Sequence, residues 1–495
     1  MSFAQVWSRA VMGLNAPTVQ VETHLSQGLP ALTIVGLPEA AVRESKDRVR
    51  SAILNSGFKF PQRRLTINLA PADLPKEGSR LDLPIALGVL AATGQLSIDA
   101  LNNREFIGEL ALNGDLRTVN GVLAVARATH LAQRELFLPH ANAIEAARIN
   151  GLTVWGAPNL AALCAHLEGT TLLTATPKPK PQVSNAPLLD MADIKGQHRA
   201  RRALEIAAAG GHSILFSGPP GTGKTLLASR LPSILPPLTD EESLEVANIY
   251  SIASSQHPFG LRPFRAVHHT TSAVALVGGG SQPRPGEITL AHHGVLFLDE
   301  LPEFDRKVLE VLRQPIESNE VVISRAARQV TFPAKFQLVA AMNPCPCGYA
   351  SDTTTRCTCT TDMISRYRAK LSGPLLDRID LHIEVPAIPA SDLQQTQAGE
   401  NSETVRKRVF AARDRQLSRQ QGTNQSLTPT QLDKFVPLGE PEQKLMQMAQ
   451  TRLALSARAY HRVLRVARTI ADLANSVDVR SPHLTEALGY RGFEQ

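Results

Sequence analysis

Apolar and polar positions change rhythm several times along the chain, and each change marks an element or a boundary. In the first stretch, Val19–Val35, Arg64–Leu69 and Glu105–Leu112 carry strand-like apolar content, whereas Glu39–Asn55 and Leu81–Ala92 read as helices. Thr174–Pro187 (TATPKPKPQVSNAP) breaks this pattern, because interleaved Pro and Lys disfavour a helix and favour an extended, solvated connector. Beyond it, His212–Ser217 (HSILFS), Gly294–Glu300 (GVLFLDE) and Phe336–Met342 (FQLVAAM) are short apolar runs of the kind buried strands show. Glu320–Pro333 alternates like a hairpin. Pro389–Asn401 is polar, and a mostly helical region follows, including the basic helix Ser456–Leu473 (SARAYHRVLRVARTIADL). The pattern predicts a multidomain α/β protein. Its parts are an α/β domain at 1–173, a Pro/Lys-rich linker at 174–189, a second domain at 190–388, a polar connector at 389–401 and a C-terminal helical region at 402–495, with no internal repeats.

Composition narrows the class. A chain of 495 residues is too long for one core. With 43% apolar and 20% charged residues it reads as globular and soluble. A net charge of +7 permits a polyanionic partner without demanding one. The longest apolar stretch, Leu81–Leu96, is interrupted by Asp82, Pro84 and Gly88, which argues against a membrane span. No charged-then-apolar leader is seen, so a cytoplasmic protein is expected. Five cysteines in so long a chain are no disulfide framework.

Chemistry concentrates in the second domain. Gly218-Pro219-Pro220-Gly221-Thr222-Gly223-Lys224-Thr225 fits the phosphate-loop pattern G-x-x-x-x-G-K-[ST], between a strand-like run and a helix opening at Thr225. There the glycines let backbone N–H groups form an anion nest, Lys224 reaches the β/γ-phosphates, and the Thr225 hydroxyl coordinates Mg²⁺. Gly294–Glu300 delivers Asp299 to the Mg²⁺ shell and Glu300 to a water attacking the γ-phosphate. Asn343, at the tip of the neighbouring strand, is placed to orient that water. In Gly373–Leu381 (GPLLDRIDL), Arg378 is an arginine that in multi-subunit ATPases projects into the neighbour's site; the alternative is an internal pair with Asp377 or Asp380. Arg458 is the candidate to reach the γ-phosphate from the C-terminal lid, with Arg462, Arg465 and Arg468 as competitors or as solvent-face residues.

The long interval between Thr225 and Asp299 requires an insertion, with Gly278–Gly286 (GGGSQPRPG), and Arg284 within it, as its tip. Arg325 and Arg328 lie near the turn of the Glu320–Pro333 hairpin. In a ring, such hairpins converge on a central pore where arginines grip the phosphates of a threaded strand; the alternative is a hairpin packed on its own domain. Cys345, Cys347, Cys357 and Cys359 form two close pairs that suit tetrahedral Zn²⁺, with free thiols as the alternative. Cys164 reads as a core thiol, and the pairs His268–His269 and His292–His293 read as structural histidines or metal ligands.

The phosphate loop, LFLDE, Asn343, LLDR and the lid arginine occur in the order of AAA+ ATPases. RPFRAVHHTTSAVALVGGG, PGEITLAHHGVLFLDELPEF and AAMNPCPCGY resemble, more specifically, the magnesium-chelatase-like YifB/ComM family over essentially the whole chain. The resemblance implies the roles given above for Asp299, Glu300, Asn343, Arg378 and Arg458, working in a ring, most often a hexamer, fuelled by ATP. The lack of an Asn-Lys-x-Asp guanine-reading motif agrees, and Asp193–Gln197 (DIKGQ), with Gln197, is placed to wall the adenine. It further implies translocation on DNA, single-stranded or branched, with branch migration during natural transformation. The chelatase side of the family implies instead a metal-insertion or MoxR-like remodelling ATPase indifferent to DNA.

In the N-terminal domain, Leu74–Leu83 (LPKEGSRLDL) and Gly108–Leu138 resemble the Lon-type Ser/Lys proteases, implying their ribosomal-protein-S5-domain-2-like fold. The serine position falls on Arg80, with Ser79 one residue early, and the lysine position falls near Leu123, where Val119–Val125 has no lysine. A non-catalytic Lon-like domain is therefore expected. RadA-type recombination ATPases carry the same Arg-Leu-Asp replacement, which favours a ring-forming or DNA-facing platform with Arg48, Arg63, Arg64 and Arg80 as its basic residues.

Overall fold

The computed structural model describes residues 3–38, 40–76, 78–179, 189–253, 255–280, 283–325, 328–350, 357–387 and 399–491. Most of the linker expected at 174–189 and of the connector expected at 389–401 lies outside these residues. The chain folds as two compact units, one of Met1–Val183 with Ser243–Phe259, the other of Ser184–Glu242 with Gly260–Gln495.

The first unit is built on nine strands: β1 (Phe3–Arg9), β2 (Thr18–Ser26), β3 (Ala31–Val35), β4 (Arg64–Ala70), β5 (Arg104–Phe106), β6 (Glu109–Leu110), β7 (Leu116–Arg117), β8 (Glu135–Pro139) and β9 (Val154–Ala157). Seven form a mixed sheet in the order β3-β4-β2-β1-β5-β8-β9, and β6 and β7 form a separate pair. Glu105–Leu112, read as one strand, divides into β5 and β6; Val19–Val35 divides into β2 and β3. The alternating burial of β2 follows its period-two pattern. The helix Asp82–Ala92 is buried all round. Its Gly88 meets Thr23 of β2 so closely that a Cβ would collide, which explains a glycine inside a helix.

Asp82 shows what the Arg-Leu-Asp motif does here. Its carboxylate, 1% exposed, accepts from Arg48 Nε at 2.8 Å and from the Leu110 amide at 3.3 Å, stitching two helices to β6. Arg48 is thereby committed to structure rather than to a basic surface. The Ser79 hydroxyl is bonded to Glu109 and the buried Lys76 ammonium to the Pro71 carbonyl. No serine–lysine hydrogen bond occurs among the described residues. Cys164 is buried, and burial pushes its thiol up to about 12.

The second unit adds β10 (Ile214–Ser217), β11 (Phe264–Val267), β12 (Gly278–Gly279), β13 (Arg284–Pro285), β14 (Val295–Leu298), β15 (Glu320–Arg325), β16 (Arg328–Pro333), β17 (Gln337–Met342) and β18 (Leu381–Glu384). Five of them make a parallel sheet in the order β11-β14-β17-β10-β18. β10, β14 and β17 are buried at every position, as parallel strands covered on both faces must be. This strand order sets the ends of β10, β17 and β14 side by side, where loops can share one site. β12 pairs with β13 and β15 with β16, the second as a hairpin with Arg325 opposite Arg328. A Cβ at Gly278 would lie 2.8 Å from Ile323 Cδ1, so the two insertions pack together. Helices from Ser402 to Leu488 complete the unit, and Val405, Val409, Val463 and Ile470 join the core of the sheet.

Candidate active site

β10 ends at Ser217, and the helix Lys224–Ile234 starts seven residues later, so the intervening turn is forced tight. Gly221 and Gly223 adopt φ of +78° and +87°, a region costly for residues with a Cβ. Gly218 lies against the Val385 carbonyl with no room for a side chain. The Lys224 ammonium is held by three oxygens: the Gly218 and Pro219 carbonyls at 2.7 and 2.8 Å and Asn343 Oδ1 at 3.1 Å. Burial lowers its pKa, against the charges of Asp299 and Glu300. Asn343 thus shares the lysine of the phosphate loop, as β17 between β10 and β14 allows.

Thr225 Oγ1 donates to Asp299 Oδ2 at 3.0 Å. A hydroxyl and a carboxylate converging beside the loop lysine are hard oxygen donors of the kind Mg²⁺ takes while keeping waters and phosphate oxygens. Glu300 follows with a left-handed backbone, φ 53° and ψ 48°, and its amide donates to Asp299 Oδ1 at 3.0 Å. His269 Nδ1 lies 2.9 Å from Glu300 Oε2, at the end of β11. A cleft of about 290 Å³ opens beside the loop, lined by Asp193, Ile194, Lys195 and Gln197 on one wall and Gly221–Gly223 on the other. Gln197 Nε2 donates to the Pro386 carbonyl at 2.8 Å, bracing that wall.

The arginines separate into two kinds. Arg378 is 11% exposed and pairs with Glu317 Oε1 at 2.8 Å, on the helix Arg313–Ser318, and not with Asp377 or Asp380. Arg458 stands exposed on the first turn of the helix Ala457–Leu473 and makes no hydrogen bond or ion pair among the described residues. Arg462, Arg465 and Arg468 are not solvent-face residues. Arg462 reaches Asp380 at 3.3 Å, Arg465 the Leu427 carbonyl at 2.6 Å and Arg468 Asp472 at 3.0 Å. The apolar stripe of this helix packs on the helices Ser402–Gln420 and His198–Gly210 and draws these arginines inward with it.

Asp380, 4% exposed, anchors the segment carrying Arg378. Its carboxylate accepts from Arg462 and from the Ser213 amide, and lies 3.4 Å from His212 Nδ1. Ser213 Oγ accepts from the Asp380 amide at 2.9 Å and donates to the Arg378 carbonyl at 3.0 Å. Arg491 Nη1 donates to the Ile379 carbonyl at 2.9 Å. The segment after Arg378 is therefore tied both to the start of β10 and to the C-terminal helices.

Arg284 is exposed on β13; the side chains of Arg325 and Arg328 lie outside the described residues. The four cysteine sulfurs all fall within 4.8 Å of one another, with separations of 3.3, 3.8 and 3.6 Å among Cys345, Cys347 and Cys357. A tetrahedron of thiolates about 2.3 Å from Zn²⁺ has edges of about 3.8 Å, so the donor set fits that ion. His292 is buried, and its Nδ1 accepts from the Lys335 amide at 3.0 Å. No helix among the described residues is long and apolar enough to cross a membrane.

Three family models cover the chain in succession: "Subunit ChlI of Mg-chelatase" at 21–142, "Magnesium chelatase, subunit ChlI" at 190–393 and "Magnesium chelatase, subunit ChlI C-terminal" at 399–491. The chain is 50% identical to the competence protein ComM of Haemophilus influenzae, over 99% of this chain and 98% of that one. It is 49% identical to YifB of Escherichia coli, over 100% and 98%. The 38 kDa subunit of magnesium chelatase from Cereibacter sphaeroides is 27% identical over 30% of this chain and 51% of its own length. End-to-end likeness to these relatives, with the phosphate-loop site at its centre, makes the chain a member of the YifB/ComM family of magnesium-chelatase-like AAA+ ATPases.

Proposed function

We propose that the protein is a ring-forming ATPase that translocates on DNA and drives branch migration during the integration of DNA in natural transformation. The observation that carries this reading is the full-length likeness to a competence protein, joined to a nucleotide site in which Lys224 touches Asn343 and Thr225 touches Asp299. In this reading the chain divides as domains at 1–173, 190–388 and 402–495, with a linker and a connector between them.

Lys224 exchanges its three oxygen partners for the β/γ-phosphates of ATP, leaving Asn343 Oδ1 free to orient a water. Thr225 and Asp299 hold Mg²⁺, which when bound neutralises charge on the phosphate oxygens. Glu300 accepts the proton of the attacking water. Gln197 and the Asp193–Gln197 wall hold the adenine. Arg378, released from Glu317, enters the neighbouring subunit's site and stabilises the transition state, and Arg458 reaches the γ-phosphate from the lid. Arg284, Arg325 and Arg328, on insertions that pack together, grip phosphates of the strand. The four cysteines hold one structural zinc.

A metal-insertion or remodelling ATPase is the second reading, favoured by the chelatase models that span the chain. ATP turnover measured with and without single-stranded, duplex and branched DNA, at low and moderate salt, separates the two. Stimulation that fades with salt supports the DNA motor. Turnover indifferent to every nucleic acid rejects it in favour of the second reading.

A further inference from the structure

The cysteine loop bears on the nucleotide site from both of its ends. At one end Cys345, fully buried, follows Asn343 by two residues. Gly348 closes that turn, its amide bonded to the Cys345 carbonyl at 3.0 Å. With φ +87°, Gly348 lies so close to the phosphate loop that a Cβ would sit 2.7 Å from Pro220 Cδ. At the other end Cys357 and Cys359 lead into the helix Thr361–Arg368. From that helix the buried Tyr367 lies beside the backbone of Asn343.

We propose that zinc held by these four thiolates is a working part of the nucleotide site. Zinc bound to the four sulfurs fixes Gly348 against Pro220 and Tyr367 beside Asn343, so metal binding and nucleotide binding reinforce each other. The inference rests on the zinc and ATP readings given above. Its physical basis is that zinc replaces the protons of four converging thiols and ties the two ends of the loop together, fixing Gly348 where it meets Pro220. Nucleotide orders the same phosphate loop and the same Asn343 from the opposite side. Two ligands that favour one packed arrangement must raise each other's affinity by an equal factor, typically about 5- to 150-fold.

The test uses the full chain as purified. Metal content is measured by mass spectrometry, and zinc transfer to a chromogenic chelator is timed with and without a slowly hydrolysed ATP analogue. The expected results are about one zinc per chain, zinc affinity raised at least about fivefold by nucleotide and seen as slower transfer to the chelator, and nucleotide affinity reduced by that same affinity factor after zinc removal. Gly348→Ala should retain zinc and lose the mutual effect; Cys347→Ser should lose both zinc and tight nucleotide binding. If zinc leaves at one rate with and without bound nucleotide, the coupling is refuted while the zinc and ATP readings stand. Zinc-free protein that binds nucleotide normally removes the zinc reading and the inference with it. Zinc-loaded protein that binds no nucleotide overturns the ATP reading instead. Should Cys347→Ser fail to fold, the release rates of the unaltered chain still decide.

Discussion

Asp380→Ala is expected to destabilise the second unit more than any exposed substitution near the site. The carboxylate is 4% exposed and its partner Arg462 13%, so the deletion strands a guanidinium with little access to water. Breaking a buried pair from one side costs about 3–5 kcal/mol, a large share of the roughly 5–15 kcal/mol that holds a domain together. Asp380→Leu combined with Arg462→Met removes both charges and should recover most of the loss. Both tryptophans of the chain, Trp7 and Trp155, belong to the first unit. Tryptophan fluorescence therefore does not report the second unit directly, and hydrogen exchange of the Leu381–Glu384 amides should accelerate. The pair also has a pH signature. Against the cost of burial, the His212 hydrogen bond and the Arg462 charge hold the Asp380 carboxyl below its ordinary value of 3.8. Its stabilisation is thus fully present above that value and is lost as pH falls toward the folded pKa; Asp380→Ala should lack this acid-dependent term. A loss under about 1 kcal/mol, or a double variant no more stable than the single one, would refute a desolvated ion pair here.

Lys224→Ala should abolish ATP binding, and Glu300→Gln should bind ATP and fail to turn it over, as equilibrium binding and phosphate release would record; normal hydrolysis by Glu300→Gln removes Glu300 as the base. Arg378→Ala should reduce turnover by about 10³–10⁵-fold while sparing nucleotide affinity. Mixing it with Lys224→Ala subunits should restore part of the activity, and no restoration at any ratio would place Arg378 in its own subunit's site.

What could be read from the sequence is what is local. The phosphate loop, the acidic end of β14 and Asn343 are each set by a few consecutive residues, and their strand, turn and helix context is equally local. The cysteine pairs carry their chemistry in their spacing. What could not be read depends on distant partners. Glu317 beside Arg378 and His269 beside Glu300 have no spacing signal, because separate elements bring them together. The inward arginines carry no such mark either, because charge along a helix suggests solvent, whereas Arg462 and Arg468 find Asp380 and Asp472 inside. That Ser243–Phe259 belongs to the first unit also leaves no local mark. It rests on packing, with Leu244 and Ala247 against a core that includes Val122 and Leu136.

Movement of a DNA branch point is the most direct readout. A labelled three- or four-stranded junction, incubated with the protein and ATP, should be resolved into its products by the unaltered chain and left intact by Glu300→Gln. A junction that stays in place while the unaltered chain hydrolyses ATP would contradict a DNA motor.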